Sequence, residues 1–293
     1  MNPVEIFRGS LRISLRTRAL WLLTLLFLCS VLPAFLLAGG FGAVTGFLLL
    51  PAEASDVWSV LSPLRQLPVG GWIAYVVVTL AALTATSLLS WAVQAAMIRA
   101  ADAAADGKPA SVRASLQLGK QRWQSLAKLA LTFGLLIQVL GFLPAGLALL
   151  LARGTLLGMT VMQLTQTVLT PVSTVLGIAI FLLTMSIALE DVRPRMAAAR
   201  VWKLIRSGWW GFLLAYVVQI ALALSIAFVF AGLIAVVLFI FISGWYFHSS
   251  VEYVIGLAIC VFSSPVGLVL IIFALVFSTV LFTLTYRAAE KMG

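Results

Sequence analysis

The segment Gly211–Ile242 constrains the fold more than any other part of the sequence, because it contains no charged residue. A helix needs about 20 apolar residues to cross the hydrocarbon core of a bilayer, and this segment is longer than that. The whole chain is 63% hydrophobic and 10% charged, whereas soluble domains carry about 25% charged residues. Such a chain cannot present a polar surface to water. The sequence therefore predicts an all-α integral membrane protein.

A basic amphipathic stretch, Arg193–Trp210, leads directly into this apolar segment. The same arrangement occurs twice earlier, where Asn2-Pro3 and Lys108-Pro109 begin similar basic stretches. Proline suits the first turn of a helix, and a basic amphipathic helix lies in the membrane interface. We call these three stretches elbow helices. They predict one membrane domain, 1–293, built from three repeats of an elbow helix and a pair of spans, at approximately 1–105, 106–192 and 193–293.

Six membrane spans follow from the lengths of the apolar runs. We expect a break at Gly39-Gly40 and a kink near Pro265. Three apolar stretches, 41–50, 154–170 and 231–242, are open to interpretation as re-entrant, interfacial or span extensions. The six predicted spans run approximately over 19–37, 71–97, 126–151, 171–189, 211–242 and 254–286.

The distribution of positive charge predicts the orientation. Of the 19 Lys and Arg residues, all but Arg65 and Arg153 fall on the side of the elbow helices. Positively charged segments stay in the cytoplasm, so both termini and all three elbows are expected there. The expected location is a bacterial plasma (inner) membrane.

The first elbow helix has two distinct faces when its residues are spaced by 100°. Its apolar stripe is expected to face the acyl chains, although packing on the protein itself is an alternative. The stripe consists of Val4, Phe7, Leu11 and Leu15, and we expect the opposite face to carry Glu5, Arg8, Arg12 and Arg16.

The basic residues of the elbows are the candidate binding surface. They can bind anionic lipid headgroups or partner subunits, or they can simply set the orientation. In the third elbow, four of them fall within one arc, opposite Ala197, Val201, Leu204 and Ile205. The candidate residues are Arg16, Arg18, Lys120, Arg122, Arg195, Arg200, Lys203 and Arg206.

Two glutamines lie within predicted spans, Gln138 and Gln219. Either they form hydrogen bonds between helices, or they line a polar path for a substrate. Glycine pairs such as Gly208 and Gly211 predict close approach of neighbouring helices.

No set of residues in the sequence predicts catalysis, a cofactor or a metal. The single histidine, His248, lies in a predicted turn, and Ser243 precedes it without the motif of a serine hydrolase. Cys29 and Cys260 fall in apolar runs and are expected to be small buried side chains. The basic residues flank apolar runs, which indicates a membrane surface rather than nucleic acid.

The pattern of elbows resembles that of bacterial multi-pass proteins, including the membrane domain attached to some glycerophosphodiester phosphodiesterases. The resemblance is carried by Lys108-Pro109 with Gly119 and Arg122-Trp123, and by Arg193-Pro194 with Trp202 and Gly208-Trp209. It implies six spans with short basic helices. The catalytic domain of those enzymes is absent from this sequence, so the resemblance does not imply their activity.

Two functions are consistent with these features. The first is a non-enzymatic accessory or scaffold subunit of a larger membrane complex. The alternative is a permease or lipid-handling subunit that works with a separate cytoplasmic ATPase. A polar cavity around the two glutamines would favour the alternative.

Overall fold

The computed structural model of the chain describes residues 3–49, 69–134, 136, 156–190, 192, 194–247 and 250–291, and every regular element in these ranges is helical. A five-residue π-helical segment, Ala130–Gly134, follows α5. The α-helices are α1 (Pro3–Arg16), α2 (Arg18–Leu49), α3 (Val69–Ala105), α4 (Val112–Gln121), α5 (Trp123–Leu129), α6 (Leu156–Glu190), α7 (Pro194–Phe247) and α8 (Ser250–Glu290).

Three helical segments are long and apolar enough to cross a membrane: Val77–Ala105, Gly208–Gly244 and Val254–Glu290. A fourth candidate combines α1 with Arg18–Pro33, which meet at a bend of 81°. The bend lies close to the predicted boundary between the first elbow and the first span, at residue 19. The prediction of six spans stays a prediction, because most of the proposed third span, 126–151, lies outside the described residues.

The apolar stretches that the sequence left open continue neighbouring helices. Helix α2 runs without interruption to Leu49, so the expected break at Gly39-Gly40 is wrong. The described part of 154–170 belongs to α6, and 231–242 belongs to α7. Glycine weakens a helix by only about 1 kcal/mol per residue, which a long apolar helix tolerates.

The contacts divide the chain into two compact units. One unit comprises residues 1–25, 97–112 and 202–293, and the other comprises residues 26–96 and 113–201. Each unit therefore draws on segments of more than one predicted repeat. The repeats themselves stay a prediction.

In the first unit, α1 packs along α8 through its small residues. Ser10 and Ser14 are fully buried, and their hydroxyl groups donate to backbone carbonyls one turn earlier. Ile6 is also buried beside them. The ring of Phe7 meets that of Phe277 edge to face, with centroids 5.4 Å apart.

Helix α1 consequently has three sides rather than two. Its apolar stripe remains exposed, with Val4 at 53% and Leu15 at 62% of their full accessibility. At 100° per residue the charged residues flank this stripe, and the buried serine face lies opposite the charges. The expected opposition of apolar and charged faces is therefore wrong. The exposed part of the stripe is available to the acyl chains, whereas Phe7 within it contacts Phe277 and the serine side is buried.

Helices α7 and α8 cross closely where α7 departs from helical geometry. Gly208 has φ −124° and ψ 21°, which separates the elbow part of α7 from its span. A Cβ atom added to Gly208 would lie 2.7 Å from Cβ of Ala289, and one on Gly211 would lie 3.3 Å from Cγ2 of Thr285. The predicted close approach at this glycine pair is confirmed. Pro265 lies inside the continuous helix α8.

In the second unit, α4 approaches the backbone of α3. Gly119 is buried, and a Cβ atom there would lie 2.9 Å from the carbonyl oxygen of Ala92. Ser115, one turn earlier, is also buried. The second elbow therefore packs through small residues, as the first one does.

The two cysteines are free and exposed on their helices, at Cys29 and Cys260. The expectation that they are buried is wrong. An apolar run in a membrane helix does not show which of its sides contacts protein, because lipid is as apolar as a protein core.

Candidate functional site

The third elbow has the two faces that the sequence predicts. Ala197, Val201 and Leu204 are buried, whereas the four basic residues of the opposite arc are exposed. Since buried apolar residues recur every three to four positions, this side of the helix is fixed against the protein. The exposed basic side consists of Arg195, Arg200, Lys203 and Arg206.

Arg200 and Arg206 both interact with nearby side chains. Nε of Arg200 lies 2.5 Å from a carboxylate oxygen of Glu190, which ends α6. The guanidinium of Arg206 lies over the ring of Trp202, 6.0 Å from its centroid. This distance is at the limit for a cation–π contact. These two side chains therefore contact other parts of the protein while remaining exposed to its surroundings.

Arg122 has a structural role that the sequence did not predict. Its guanidinium donates to the backbone carbonyl oxygens of Ile187 and Ala188, in the last turn of α6. The last four carbonyls of a helix have no partner within the helix and carry partial negative charge. Arg122 thus caps α6, whereas the neighbouring candidate Lys120 is exposed.

The remaining candidates, Arg16, Arg18 and Lys120, are exposed. The first two flank the bend between α1 and α2. There the indole nitrogen of Trp21 donates to the carbonyl oxygen of Ser14 at 2.7 Å. Because Ser14 lies in the last turn of α1, this bond satisfies a carbonyl that the helix leaves open.

An ion cluster joins the end of α3 to the end of α8. Nε of Arg287 donates to Asp102 at 2.6 Å, and Nη1 donates to Asp106 at 2.6 Å. Arg99 approaches Asp102 from one helical turn away, at 3.9 Å. The hydrogen bond from Arg287 lowers the pKa of Asp106 to about 2. This cluster was not predicted, although the parallel sequences Arg99-Ala-Ala-Asp102 and Arg287-Ala-Ala-Glu290 mark its location.

The structure describes one of the two glutamines that were predicted to lie within spans. Gln219 is half-buried on α7, and Gln138 lies outside the described residues. Both interpretations of the pair therefore stay predictions.

Ser243 has an acidic partner that the sequence did not predict. Its hydroxyl donates to the carboxylate of Glu252 at 3.0 Å, which links the last part of α7 to the first turn of α8. In serine hydrolases a basic side chain, rather than a carboxylate, accepts the proton of the serine. The pair is therefore better explained as a hydrogen bond between two helices than as a catalytic pair. His248 lies outside the described residues.

The described ranges offer no cluster of metal ligands. These ranges contain no group of three or more His, Cys, Asp or Glu side chains that could hold a metal ion.

The chain was compared with protein families, curated proteins and solved structures. No protein family, curated protein or solved structure matches the chain. The resemblance to the membrane domain of glycerophosphodiester phosphodiesterases stays a prediction.

Proposed function

We propose that this protein is a non-enzymatic accessory subunit of a larger membrane complex. In this proposal it crosses a bacterial plasma membrane six times, with its termini and elbows in the cytoplasm. The observation that carries the proposal is the uncovered apolar length of α7. The span Gly208–Gly244 has a mean hydropathy of 3.0, and only 6% of its most apolar window is buried within the described chain.

The length of this span exceeds what a bilayer covers. Its 37 residues make a helix about 55 Å long, at a rise of about 1.5 Å per residue. The hydrocarbon core is about 30 Å thick. Tilt alone would have to exceed about 55°, whereas membrane helices tilt by up to about 40°. Even when the headgroup regions are included, at about 40 to 45 Å in all, the helix needs a tilt of about 40°, at the upper end of that range. A partner helix that covers part of the apolar surface would relieve this requirement.

The exposed surface of α7 has an ordered arrangement. Trp210, Phe228 and Tyr246 follow one another at intervals of five helical turns, so they share one face. Phe239 falls within about 20° of the same face. Their exposed fractions, 67%, 82%, 78% and 73%, are among the largest of the chain's apolar side chains. This aromatic stripe is the surface through which we expect the partner to pack, since aromatic residues dominate interface energetics.

Site-specific photocrosslinking in native membranes tests the proposal. A photoreactive amino acid replaces Phe228 or Phe239 in separate variants, and the buried Phe277 serves as the matched control. We expect a discrete adduct of higher mass from the two exposed positions, containing the same second protein in each case. The control position should give no such adduct.

Two results would contradict the accessory-subunit proposal. Adducts with lipid alone would show that the stripe faces the bilayer. Crosslinks confined to the same chain would show that the protein covers its own surface. A partner that proves to be an ATPase would instead favour the permease alternative.

A further inference from the structure

A groove of about 710 Å³ in the second unit joins polar and apolar side chains. One wall is formed by α5 and the π-helical segment, through Gln124, Lys128 and Thr132 at intervals of four residues. The other wall is the first turn of α7, with Pro194, Arg195 and Met196. The two walls come from different predicted repeats, so only the folded chain forms this groove.

The charges of the groove all have the same sign. Its ionisable lining residues are Lys128 and Arg195, and both side chains are exposed. No carboxylate lines the groove within the described residues. Because Arg195 lies at the start of α7, the positive end of the helix dipole adds to the two cations. An anion is therefore the complementary ligand, and a phosphate suits a cation beside a helix N-terminus.

Apolar side chains also line the groove, next to the two basic residues. Leu129, Phe133 and Met196 contribute to the same surface. Leu129 is almost fully buried, so the floor is fixed, whereas Phe133 is half-buried at the rim. Phe133 and Thr132 belong to the π-helical segment, a geometry that is frequent at functional sites. A ligand that fits this groove has an anionic end and an apolar end.

We propose that this groove binds one anionic phospholipid. Its phosphate lies between Lys128 and Arg195, and the upper part of an acyl chain lies against Phe133 and Met196. A phospholipid fits better than a soluble phosphate compound, because a purely polar ligand would leave the apolar rim in water. It is also the anionic amphiphile that surrounds an elbow helix in the interface. This proposal does not depend on the accessory-subunit function.

Native mass spectrometry of the purified chain tests the proposal. The protein in a neutral detergent is titrated with phosphatidylglycerol and, separately, with the zwitterionic phosphatidylcholine. We expect a first phosphatidylglycerol to bind much more tightly than phosphatidylcholine. The double variant Lys128→Gln/Arg195→Gln should weaken phosphatidylglycerol binding about thirtyfold, from the loss of two charges. Phosphatidylcholine binding should not change.

The matched control removes two exposed cations elsewhere, in Arg8→Gln/Arg12→Gln. Its affinity for phosphatidylglycerol should stay within about twofold of the native chain. Equal losses in both double variants would show non-specific attraction and overturn the proposal, as would an unchanged affinity in the groove variant. Glycerol phosphate carries the same anion without acyl chains. If it displaces the lipid at equal concentration, the site binds free phosphate and the proposal fails.

A measurement on the native chain covers the case in which the groove variant does not fold. Raising the salt from about 0.1 to about 1 M shortens the screening length from about 10 to about 3 Å. Phosphatidylglycerol binding should weaken while phosphatidylcholine binding persists. Photoreactive phosphatidylglycerol should label the peptides that contain Lys128 and Arg195. Labelling spread evenly over the apolar helices would contradict a discrete site.

Discussion

The substitution Gly208→Ala provides a quantitative test of the α7–α8 crossing. The added Cβ would lie 2.7 Å from Cβ of Ala289, whereas contacting carbon atoms prefer about 3.5 to 4.0 Å. The helices must therefore separate by roughly 1 Å, and overpacking of this kind costs about 1 to 3 kcal/mol. Alanine normally gains about 1 kcal/mol over glycine in a helix, but the backbone at Gly208 is not helical, so most of that gain is absent. We expect a net destabilisation of about 1 to 2 kcal/mol.

Gly232→Ala is the matched control on the same helix. A Cβ atom at Gly232 would meet nothing within 4 Å, and the position is helical. This variant should be neutral or more stable by up to about 1 kcal/mol, because only the gain in helix propensity remains. Reversible unfolding in mixed micelles, with an increasing fraction of sodium dodecyl sulfate, measures both free energies.

A compensating substitution tests the cause of the destabilisation. Ala289→Gly removes the opposing Cβ, so the double variant Gly208→Ala/Ala289→Gly should lose the clash. The coupling free energy of the cycle is expected to be about 1 to 2 kcal/mol in favour of the double variant. The reasoning is refuted if Gly208→Ala and Gly232→Ala change stability equally, or if the two substitutions at the crossing are simply additive.

Three further predictions concern the charges and the first elbow. Arg122→Gln should destabilise the chain by about 1.5 to 3 kcal/mol, because it removes charge-assisted hydrogen bonds to the end of α6. The control Arg113→Gln, on the exposed side of α4, should change the unfolding free energy by no more than about 0.5 kcal/mol. Equal effects of the two substitutions in the unfolding assay would contradict the capping role of Arg122. The pKa of Asp106 lies below its ordinary value of 3.8, so its contribution to stability should be complete above about pH 4 and lost as the pH falls through about 2. Melting temperatures measured across that range should fall less for Asp106→Asn than for the native chain, and parallel curves would show that the ion cluster does not contribute. Leu15→Gln should move α1 toward the aqueous phase without changing the unfolding free energy, because Leu15 is exposed. Quenching of a fluorophore on α1 by brominated lipids measures how deeply the helix lies in the bilayer. Unchanged quenching would show that the apolar stripe lies outside the bilayer.

The fold could be predicted from the sequence where a pattern has one physical cause. The length of an apolar run determines whether a helix can span, and the positions of proline and basic residues mark the elbows. The third elbow was predicted with its correct faces, because Ala197, Val201 and Leu204 recur at helical spacing. The bend between Arg16 and Arg18 was not itself predicted, although it lies close to the expected start of the first span at residue 19.

The packing could not be predicted in the same way. The buried face of α1 consists of Ser10 and Ser14, and small polar residues are equally common on exposed helix surfaces. Cys29 and Cys260 are exposed because apolar residues in a membrane helix face lipid and protein alike. In a soluble protein the polarity of a residue indicates its side, but in a membrane this signal is absent.

The basic residues show why orientation is easier to predict than binding. The positive-inside rule counts each Lys and Arg regardless of what the side chain contacts. Binding depends on those contacts, and Arg122 and Arg200 already interact with the last turn of α6, through Ala188 and Glu190. Arg195, which the same rule counts equally, lines a groove together with Lys128, a residue that the sequence gave no reason to single out. Basic residues that count equally for membrane insertion therefore have different roles in the folded chain: capping a helix, forming an ion pair or binding a ligand. Only the ligand-binding residues should respond to the headgroup of the lipid.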